Sequence, residues 1–481
     1  MDVLKKKEDE LLDTFSAYIK AEEKHLATLR GSRVLLALYL HQIGDGEGSE
    51  PLTAYQLMQR LRVEWATIMK FTKKSLFQNY QDLMEEEFHE LPTEDDVDGA
   101  ALGIIRLQEM YKLYPENITT NPLTGISFDL KWERSFKLGK VAYSHESYQH
   151  AFLWFFKSLQ KLGATKEENS DTYKKLLLEY LSSSAYEFGH VPLAVYFSKQ
   201  RVNIDPGDLQ ARLDLTVYKG KLSQHTKTPD IFTLSETSTS TYEALCRGEE
   251  LNMKSRRRRQ LSCRYSTGGG NPRLMYAPVK EEEVWDDPPI MTYHDVFSEA
   301  EIEQLKNLSR PWLERSKVST EDGYGGISYN RVSQTVWLKD EDAPVVSSVS
   351  QRLSDITGLG MESAEPLQVL NYGVGGHFSP HYDTLERSSD SLDGDRMATI
   401  MIYLSDVSYG GSTVFPEIGA SVKPQKGSVV MWYNLLRNGQ GDWRSLHGGC
   451  PVYQGSKWVA VKWVHERGQE FRRQCSLSET E

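Results

Sequence analysis

Apolar residues Leu4, Leu11, Phe15, Ile19, Leu26 and Leu29 recur at helical intervals in a Lys/Glu-rich background. This pattern predicts an amphipathic helix from residue 4 to about 30, with one apolar stripe that needs a partner surface. Helical patterns continue through 55–71 and 100–114, so residues 1–120 read as a helical domain; packing within the domain and self-association both satisfy the stripe. Residues 131–222 are helical as well and fit part of a 34-residue helical repeat register. Ala185, Gly189, Ala194 and Pro206 occupy its small-residue and terminating positions, and Leu138, Gly139 and Ala151 do so less completely. A tetratricopeptide-like module and a plain helical bundle both remain open. Tyr143, Tyr148, Trp154, Phe155, Tyr173, Tyr180, Tyr186, Tyr196 and Tyr218 crowd this stretch. Most belong in a core, but an aromatic groove is also how extended proline-rich peptides are held. Residues 223–242 turn Ser/Thr-rich and lose periodicity, which predicts a linker. The four arginines at 256–259 read as a solvated loop. From Trp285 onward short alternating apolar runs are broken by glycines, so 243–481 reads as a β-rich domain.

The candidate chemistry lies in that last part. His381 and Asp383 stand two residues apart, and on an extended strand such residues share a face. His447, in a second β-type segment, completes a two-histidine, one-carboxylate set that suits non-haem Fe(II) with three open positions. Lys457 lies in the apolar run Lys457-Trp458-Val459-Ala460-Val461-Lys462-Trp463, where a buried cation calls for an anion. A dicarboxylate chelating iron at one end would offer its far carboxylate there. Lys462 has the opposite parity and reads as snorkelling from an edge strand. On the segment 396–404, Thr399, Met401 and Tyr403 share a face, so Tyr403 could add a hydrogen bond to the same carboxylate or belong to the core.

Composition narrows the class. A length of 481 residues suits about three domains, and a net charge of −12 argues against nucleic-acid binding through phosphate neutralisation. The longest apolar run, 34–40, is far short of the roughly 20 residues of a membrane span, and the N-terminus shows no signal-peptide core. Cys246/Cys263 and Cys450/Cys475 fall as two local pairs without CxxC spacing, which favours disulfides over metal sites. The sequons at Asn117 and Asn307 agree with a secretory compartment and are glycosylation candidates.

Residues 371–376, Gly410-Gly411-Ser412-Thr413-Val414-Phe415-Pro416-Glu417, Met431-Trp432-Tyr433-Asn434-Leu435 and residues 462–473 together resemble the catalytic subunit of animal collagen prolyl 4-hydroxylase, and the similarity extends over nearly the whole chain. The resemblance implies helical N-terminal and tetratricopeptide-like domains followed by an α+β double-stranded β-helix (jelly-roll). It implies C4 hydroxylation of peptidyl proline with O2 and 2-oxoglutarate, releasing succinate and CO2, and ascorbate to rescue oxidised iron. His381, Asp383 and His447 would be iron ligands and Lys457 the 2-oxoglutarate anchor, with Thr399 and Tyr403 beside it; the two cysteine pairs match the family's disulfides. His465 matches a histidine that handles 2-oxoglutarate, yet eight residues of straight strand put it about 26 Å from Lys457, which makes it a residue of the outer surroundings. His377 reads as a loop residue outside the ligand set. Tyr372, Trp463, Tyr186 and Tyr218 are candidates for substrate contact. In the peptide-binding module Gln210 and Asp214 stand where relatives carry arginine and asparagine, and Val217 and Ser183 replace tyrosines. The resemblance further implies the endoplasmic reticulum lumen, protein disulfide isomerase as second subunit and a two-plus-two tetramer paired through the N-terminal helices; the C-terminus lacks a KDEL-type signal. The alternatives are the same chemistry on a non-collagen protein, or a peptide-binding subunit with a vestigial site, against which the complete His381/Asp383/His447/Lys457 set argues.

Overall fold

The structure is a computed structural model that describes residues 23–24, 26–38, 51–72, 93–120, 127, 129–164, 170–222, 228–234, 240–249, 261–318, 326–327, 329–385 and 392–478. The apolar stripe expected at Leu4, Leu11, Phe15 and Ile19 and the arginine run 256–259 lie outside the described residues. The chain divides into two compact units, Met1–Ala101 and Leu102–Glu481.

In the first unit, residues 26–38 are helical and leave Leu26, Val34, Leu35 and Leu38 exposed. Helix Pro51–Gln59 runs through a π-helical turn, Arg60–Glu64, into helix Trp65–Thr72, and it buries Leu52 and Tyr55. Helix Glu94–Tyr111 belongs to the first unit only as far as Ala101, its residues from Leu102 onward counting with the second; it opens with Glu94, Asp95 and Asp96 in its first turn, where carboxylates favour the positive end of the helix dipole.

In the second unit, helices Trp132–Ser144, Tyr148–Ala164, Ser170–Glu187, Val191–Ile204 and Leu209–Leu222 each pack on the next. Leu138, Ala151, Ala185 and Ala194 are buried between them. A Cβ at Gly139 would stand 2.6 Å from the Phe155 ring, so only glycine permits the first two helices to approach. The Ser/Thr-rich segment is less free than its composition predicts. Its described part buries Ile231 and Leu234, and Gln149 Nε2 donates to the carbonyls of Ile231 and Thr233. Ile231, Leu234 and the Phe232 ring, edge-on to Phe152 and Phe156, fasten it to the helical module, a signal too short for a compositional window.

The remainder folds into two antiparallel sheets. The larger orders Cys263–Ser266, Val279–Asp286, Pro289–His294, Val429–Tyr433, Arg396–Tyr403, Lys457–His465, Leu367–Tyr372, Gln334–Leu338 and Glu314–Arg315 side by side. The smaller orders Ala420–Val422, Thr413–Phe415, His447–Gly449, His377–His381 and Arg331–Val332. Period-two alternation sorts each central strand. Ile400 and Ile402 pack against Ile302, Leu305, Val346, Val349 and Leu353 of helices Glu299–Ser309 and Pro344–Thr357, whereas Met401 and Tyr403 join Val430, Trp432, Val459, Phe415 and Val422 between the sheets. The result is a double-stranded β-helix. Its sheet begins at Cys263 rather than Trp285, because a four-residue strand carries no readable alternation. Lys457–His465 is a central strand, so Lys462 emerges on the outer face and reaches Asp340 at 3.3 Å rather than snorkelling from an edge.

The expected cysteine pairs do not form. Cys246 is bonded to Cys450, 204 residues away, and Cys263 and Cys475 are free and exposed. Helix Thr241–Cys246 packs on strand Thr413–Phe415, whose neighbour His447–Gly449 leads directly into Cys450. Spacing in sequence cannot report a contact that only the sheet's topology creates.

Candidate active site

Strands His377–His381 and His447–Gly449 pair with His381 opposite His447. The first strand ends at His381, so Asp383 lies two residues past it rather than on the same strand face. One ligand atom from each of His381, Asp383 and His447 nevertheless falls within 4.8 Å of the others. His381 Nε2 is 3.5 Å from Asp383 Oδ1, and His447 Nε2 is 3.5 Å from Asp383 Oδ2. The other ring nitrogens face carbonyls: His381 Nδ1 is 2.8 Å from Ser379 O, and His447 Nδ1 is 3.0 Å from Ser445 O. A carbonyl only accepts, so each Nδ1 carries the proton and each Nε2 turns its lone pair toward the carboxylate. Phe378 stacks on His381 with ring centroids 3.6 Å apart, and Trp432 meets His447 edge-on at 4.7 Å.

The charges agree with that tautomer assignment. Burial pushes His447 down to about 4, which keeps it neutral. Burial alone would raise Asp383, but His447 and His381 and the hydrogen bond from Thr399 outweigh it and hold the carboxyl far below its usual range. Two imidazoles and one carboxylate converging from one side match the facial donor set of non-haem Fe(II) oxygenases.

Lys457 is buried beside this cluster. Its Nζ is 3.4 Å from Thr413 Oγ1, which also accepts from Tyr403 Oη at 2.9 Å, and it lies 5.6 and 5.7 Å from the ring centres of Tyr372 and Tyr403. A Cβ on Gly449 would stand 3.8 Å from Nζ, which places the amine against the strand that begins with His447. No carboxylate among the described residues pairs with it, and burial pushes it down to about 7. Thr413 lay within a stretch that carried the family resemblance, but a threonine in a three-residue strand has no distinguishing pattern.

The structure does not bring Thr399 or His465 to Lys457. Thr399 Oγ1 donates to Asp383 Oδ2 at 2.7 Å. His465, at the opposite end of strand Lys457–His465, contacts Glu365 Oε1 through Nε2 at 3.0 Å and Gly394 O through Nδ1 at 2.9 Å. Glu365 also holds Arg396, whose guanidinium lies 4.0 Å over the Trp463 ring and whose Nη1 donates to Asp383 O at 3.4 Å. Trp463 and Tyr372 are both buried. His377 is the buried first residue of its strand rather than a loop residue, and it stands outside the metal cluster.

In the helical module Tyr186 and Tyr218 stack with centroids 4.6 Å apart. Ser183 Oγ is 2.5 Å from Tyr143 Oη. Gln210 Nε2 donates to Asp214 Oδ1 at 2.7 Å, Asp214 also pairs with buried Arg201 at 3.2 Å, and Val217 is exposed. Asn117 Oδ1 accepts from the Tyr114 amide, and Asn307 Oδ1 accepts from Arg310.

Comparison with known proteins agrees with this architecture in all three parts. Residues 1–125 match the family described as prolyl 4-hydroxylase alpha-subunit, N-terminal region; residues 133–224 match the prolyl 4-hydroxylase peptide-substrate-binding domain; and residues 367–465 match the 2OG-Fe(II) oxygenase superfamily. The chain is 38% identical to prolyl 4-hydroxylase subunit alpha-1 of Homo sapiens over 98% of its length and 94% of that protein. It is 37% identical to subunit alpha-2 of Gallus gallus, over 98% and 93%, and 33% identical to subunit alpha-2 of Caenorhabditis elegans, over 98% and 91%. The chain belongs to the prolyl 4-hydroxylase alpha-subunit family and carries that family's Fe(II)- and 2-oxoglutarate-dependent oxygenase domain.

Proposed function

We propose that this chain hydroxylates C4 of proline residues in proline-rich or collagen-like peptides, with His381, Asp383 and His447 holding Fe(II) and Lys457 receiving the far carboxylate of 2-oxoglutarate. The observation that carries this reading is Lys457: a buried amine that no carboxylate among the described residues pairs with, beside a histidine–aspartate–histidine cluster. An ammonium in such surroundings is costly until an anion joins it. Thr413, held by Tyr403, supplies a second hydrogen-bonding group at the same place.

Fe(II), 2-oxoglutarate and O2 together supply the oxidant that replaces a C–H bond by C–OH, with 2-oxoglutarate ending as succinate and CO2. The chain's own part is placement. Ser379 and Ser445 carbonyls fix the two imidazole tautomers, Lys457 and Thr413 orient the co-substrate, and Phe378, Phe415 and Trp432 wall the ligands with apolar rings.

The family match at residues 133–224 supports peptide capture by the helical module, with Tyr186 and Tyr218 as its aromatic surface. Gln210, Asp214, Val217 and Ser183 give it a weaker or altered preference for polyproline. Exposed Leu26, Val34, Leu35 and Leu38 support self-association through the N-terminal helices. The full relationship to alpha subunits supports protein disulfide isomerase as the second subunit of a two-plus-two tetramer in the endoplasmic reticulum lumen, ascorbate as the reductant, and glycosylation at Asn117 and Asn307. The Cys246–Cys450 bond is consistent with an oxidising compartment.

The test is succinate release from 2-oxoglutarate with a panel of proline-containing peptides, and mass analysis of the peptide for 4-hydroxyproline. Activity that requires proline and is lost in His447→Ala supports the assignment. Succinate formation that no proline peptide stimulates would move the substrate elsewhere.

A further inference from the structure

Asp383 does not stand alone behind the metal cluster. Its Oδ2 accepts from Thr399 Oγ1 at 2.7 Å, and Thr399 Oγ1 stands 2.8 Å from Asn434 Nδ2. All three residues are buried, Asn434 completely. The donor directions follow from valence. An ionised carboxylate can only accept, so the single hydroxyl proton of Thr399 points at Asp383. The Thr399 oxygen must then accept from its other neighbour, and Asn434 can satisfy it only with its NH2. The same NH2 donates to the Arg396 carbonyl at 3.3 Å, while Asn434 Oδ1 is buried without a partner among the described residues. An orphaned buried acceptor is unfavourable, and the orientation that leaves it so is the one that delivers the Thr399 proton to Asp383.

We propose that Asn434 and Thr399 form a one-directional hydrogen-bond relay that sets the rotation of the Asp383 carboxylate and thereby the affinity of the metal site. Both are positioning residues, and the inference rests on the metal-ligand assignment above. Rotation about the Cβ–Cγ bond decides whether Oδ1 faces His381 Nε2 and Oδ2 faces His447 Nε2, as they do here at 3.5 Å each. Asp383 lies past the end of its strand, so the backbone ladder leaves that rotation unset. The hydroxyl at Thr399 comes instead from the interior strand Arg396–Tyr403, and Asn434 sits directly after its neighbour Val429–Tyr433. The orienting group is therefore carried by an interior strand of the larger sheet, paired on both sides.

The experiment is calorimetric titration of the full-length protein with Mn(II), without 2-oxoglutarate, followed by kinetics at saturating Fe(II). Outer hydrogen-bond partners of metal ligands typically change affinity 10–100-fold. Thr399→Val, nearly equal in volume, is expected to weaken Mn(II) by that factor, while Thr399→Ser restores affinity to within a few-fold. Asn434→Ala should weaken it less, and the double variant no more than Thr399→Val alone, because the two act in series. The KM for 2-oxoglutarate at saturating metal should not change in any of them. Wild-type Mn(II) affinity in Thr399→Val, or additive losses in the double variant, overturns the relay. If Thr399→Val does not fold, Thr399→Ser and Asn434→Asp decide the matter. The new carboxylate cannot donate to Thr399 and must weaken Mn(II) where the serine does not; equal affinities reject the relay. Asp383→Ala separates the two levels: if it too binds Mn(II) normally, the metal-site assignment fails rather than the relay.

Discussion

Lys457 ties stability, pH and co-substrate binding together in one residue. Its amine is buried with Thr413 as hydrogen-bonding neighbour and is pushed from the ordinary lysine value down to about 7. The unfolded chain holds this proton up to about 10.4. Between about pH 7 and 10.4 the unfolded state therefore binds more protons than the native one, so stability without co-substrate rises with pH across that window. Below pH 7 both states are charged and the full penalty of the buried ammonium is present. At 1.36 kcal/mol per unit, a displacement of this size amounts to roughly 5 kcal/mol. Lys457→Met should thus stabilise the free protein at pH 6.5, by an amount that shrinks by about 1.4 kcal/mol for each pH unit above 7. Binding 2-oxoglutarate needs the charged amine, so its Kd in the wild type should climb about tenfold from pH 7.5 to 8.5. Urea melts at several pH values and calorimetry with 2-oxoglutarate on Mn(II)-loaded protein measure both effects. Subtracting Lys457→Met from wild type cancels the contribution of His465, which its hydrogen bond with Glu365 holds above its usual value. A 2-oxoglutarate Kd that stays flat from pH 6.5 to 9, or Lys457→Met binding it normally, would refute the assignment.

Maleimide labelling of the native, unreduced protein should modify two cysteines, Cys263 and Cys475, and leave Cys246 and Cys450 unmodified; zero or four labelled thiols contradicts the Cys246–Cys450 bond. By loop-closure entropy a link across 204 residues contributes roughly 5 kcal/mol, so Cys246→Ser with Cys450→Ser should unfold at clearly lower urea. Helix Glu94–Tyr111 reaches the turn before the His381 strand through Arg106 Nη1 to Gly375 O at 2.8 Å, and the segment after His447 through Tyr111 Oη to Pro451 O at 2.6 Å. Arg106→Met is therefore expected to raise the Fe(II) needed for half-maximal activity severalfold, and an unchanged requirement would show that the contact is decorative. In the helical module Gln210→Arg with Asp214→Asn should tighten calorimetric binding of (Pro-Pro-Gly)n by more than tenfold, since each charge-assisted hydrogen bond is worth about 1.5–3 kcal/mol; equal binding would make those positions silent.

What the sequence made legible, and what it hid, divides along one physical line. Period-two alternation placed Thr399, Met401 and Tyr403 on one face, and the structure turns that face inward. The cluster of His381, Asp383 and His447 was likewise visible because metal ligands are drawn from few residue types with tight spacing. Roles that depend on where strands end and which strands become neighbours were not visible. Thr399 and Tyr403 share a face but point at different partners, Asp383 and Thr413, because the strand runs from the metal end of the site to the Lys457 end. His465 and Lys457 share a parity too, and the length of the strand between them sends His465 to Glu365. Cysteine pairing failed for the same reason, since Cys246 meets Cys450 through sheet order rather than spacing. Asn434 shows the limit most clearly. In sequence it is one polar residue within Met431-Trp432-Tyr433-Asn434-Leu435, a stretch that carries the family resemblance but gives Asn434 no role of its own. Only when Arg396–Tyr403 lies beside Val429–Tyr433 does its amide reach Thr399 and, through it, a metal ligand. Ligands are legible because their chemistry is local; the groups that aim them are not, because aiming is a property of the sheet.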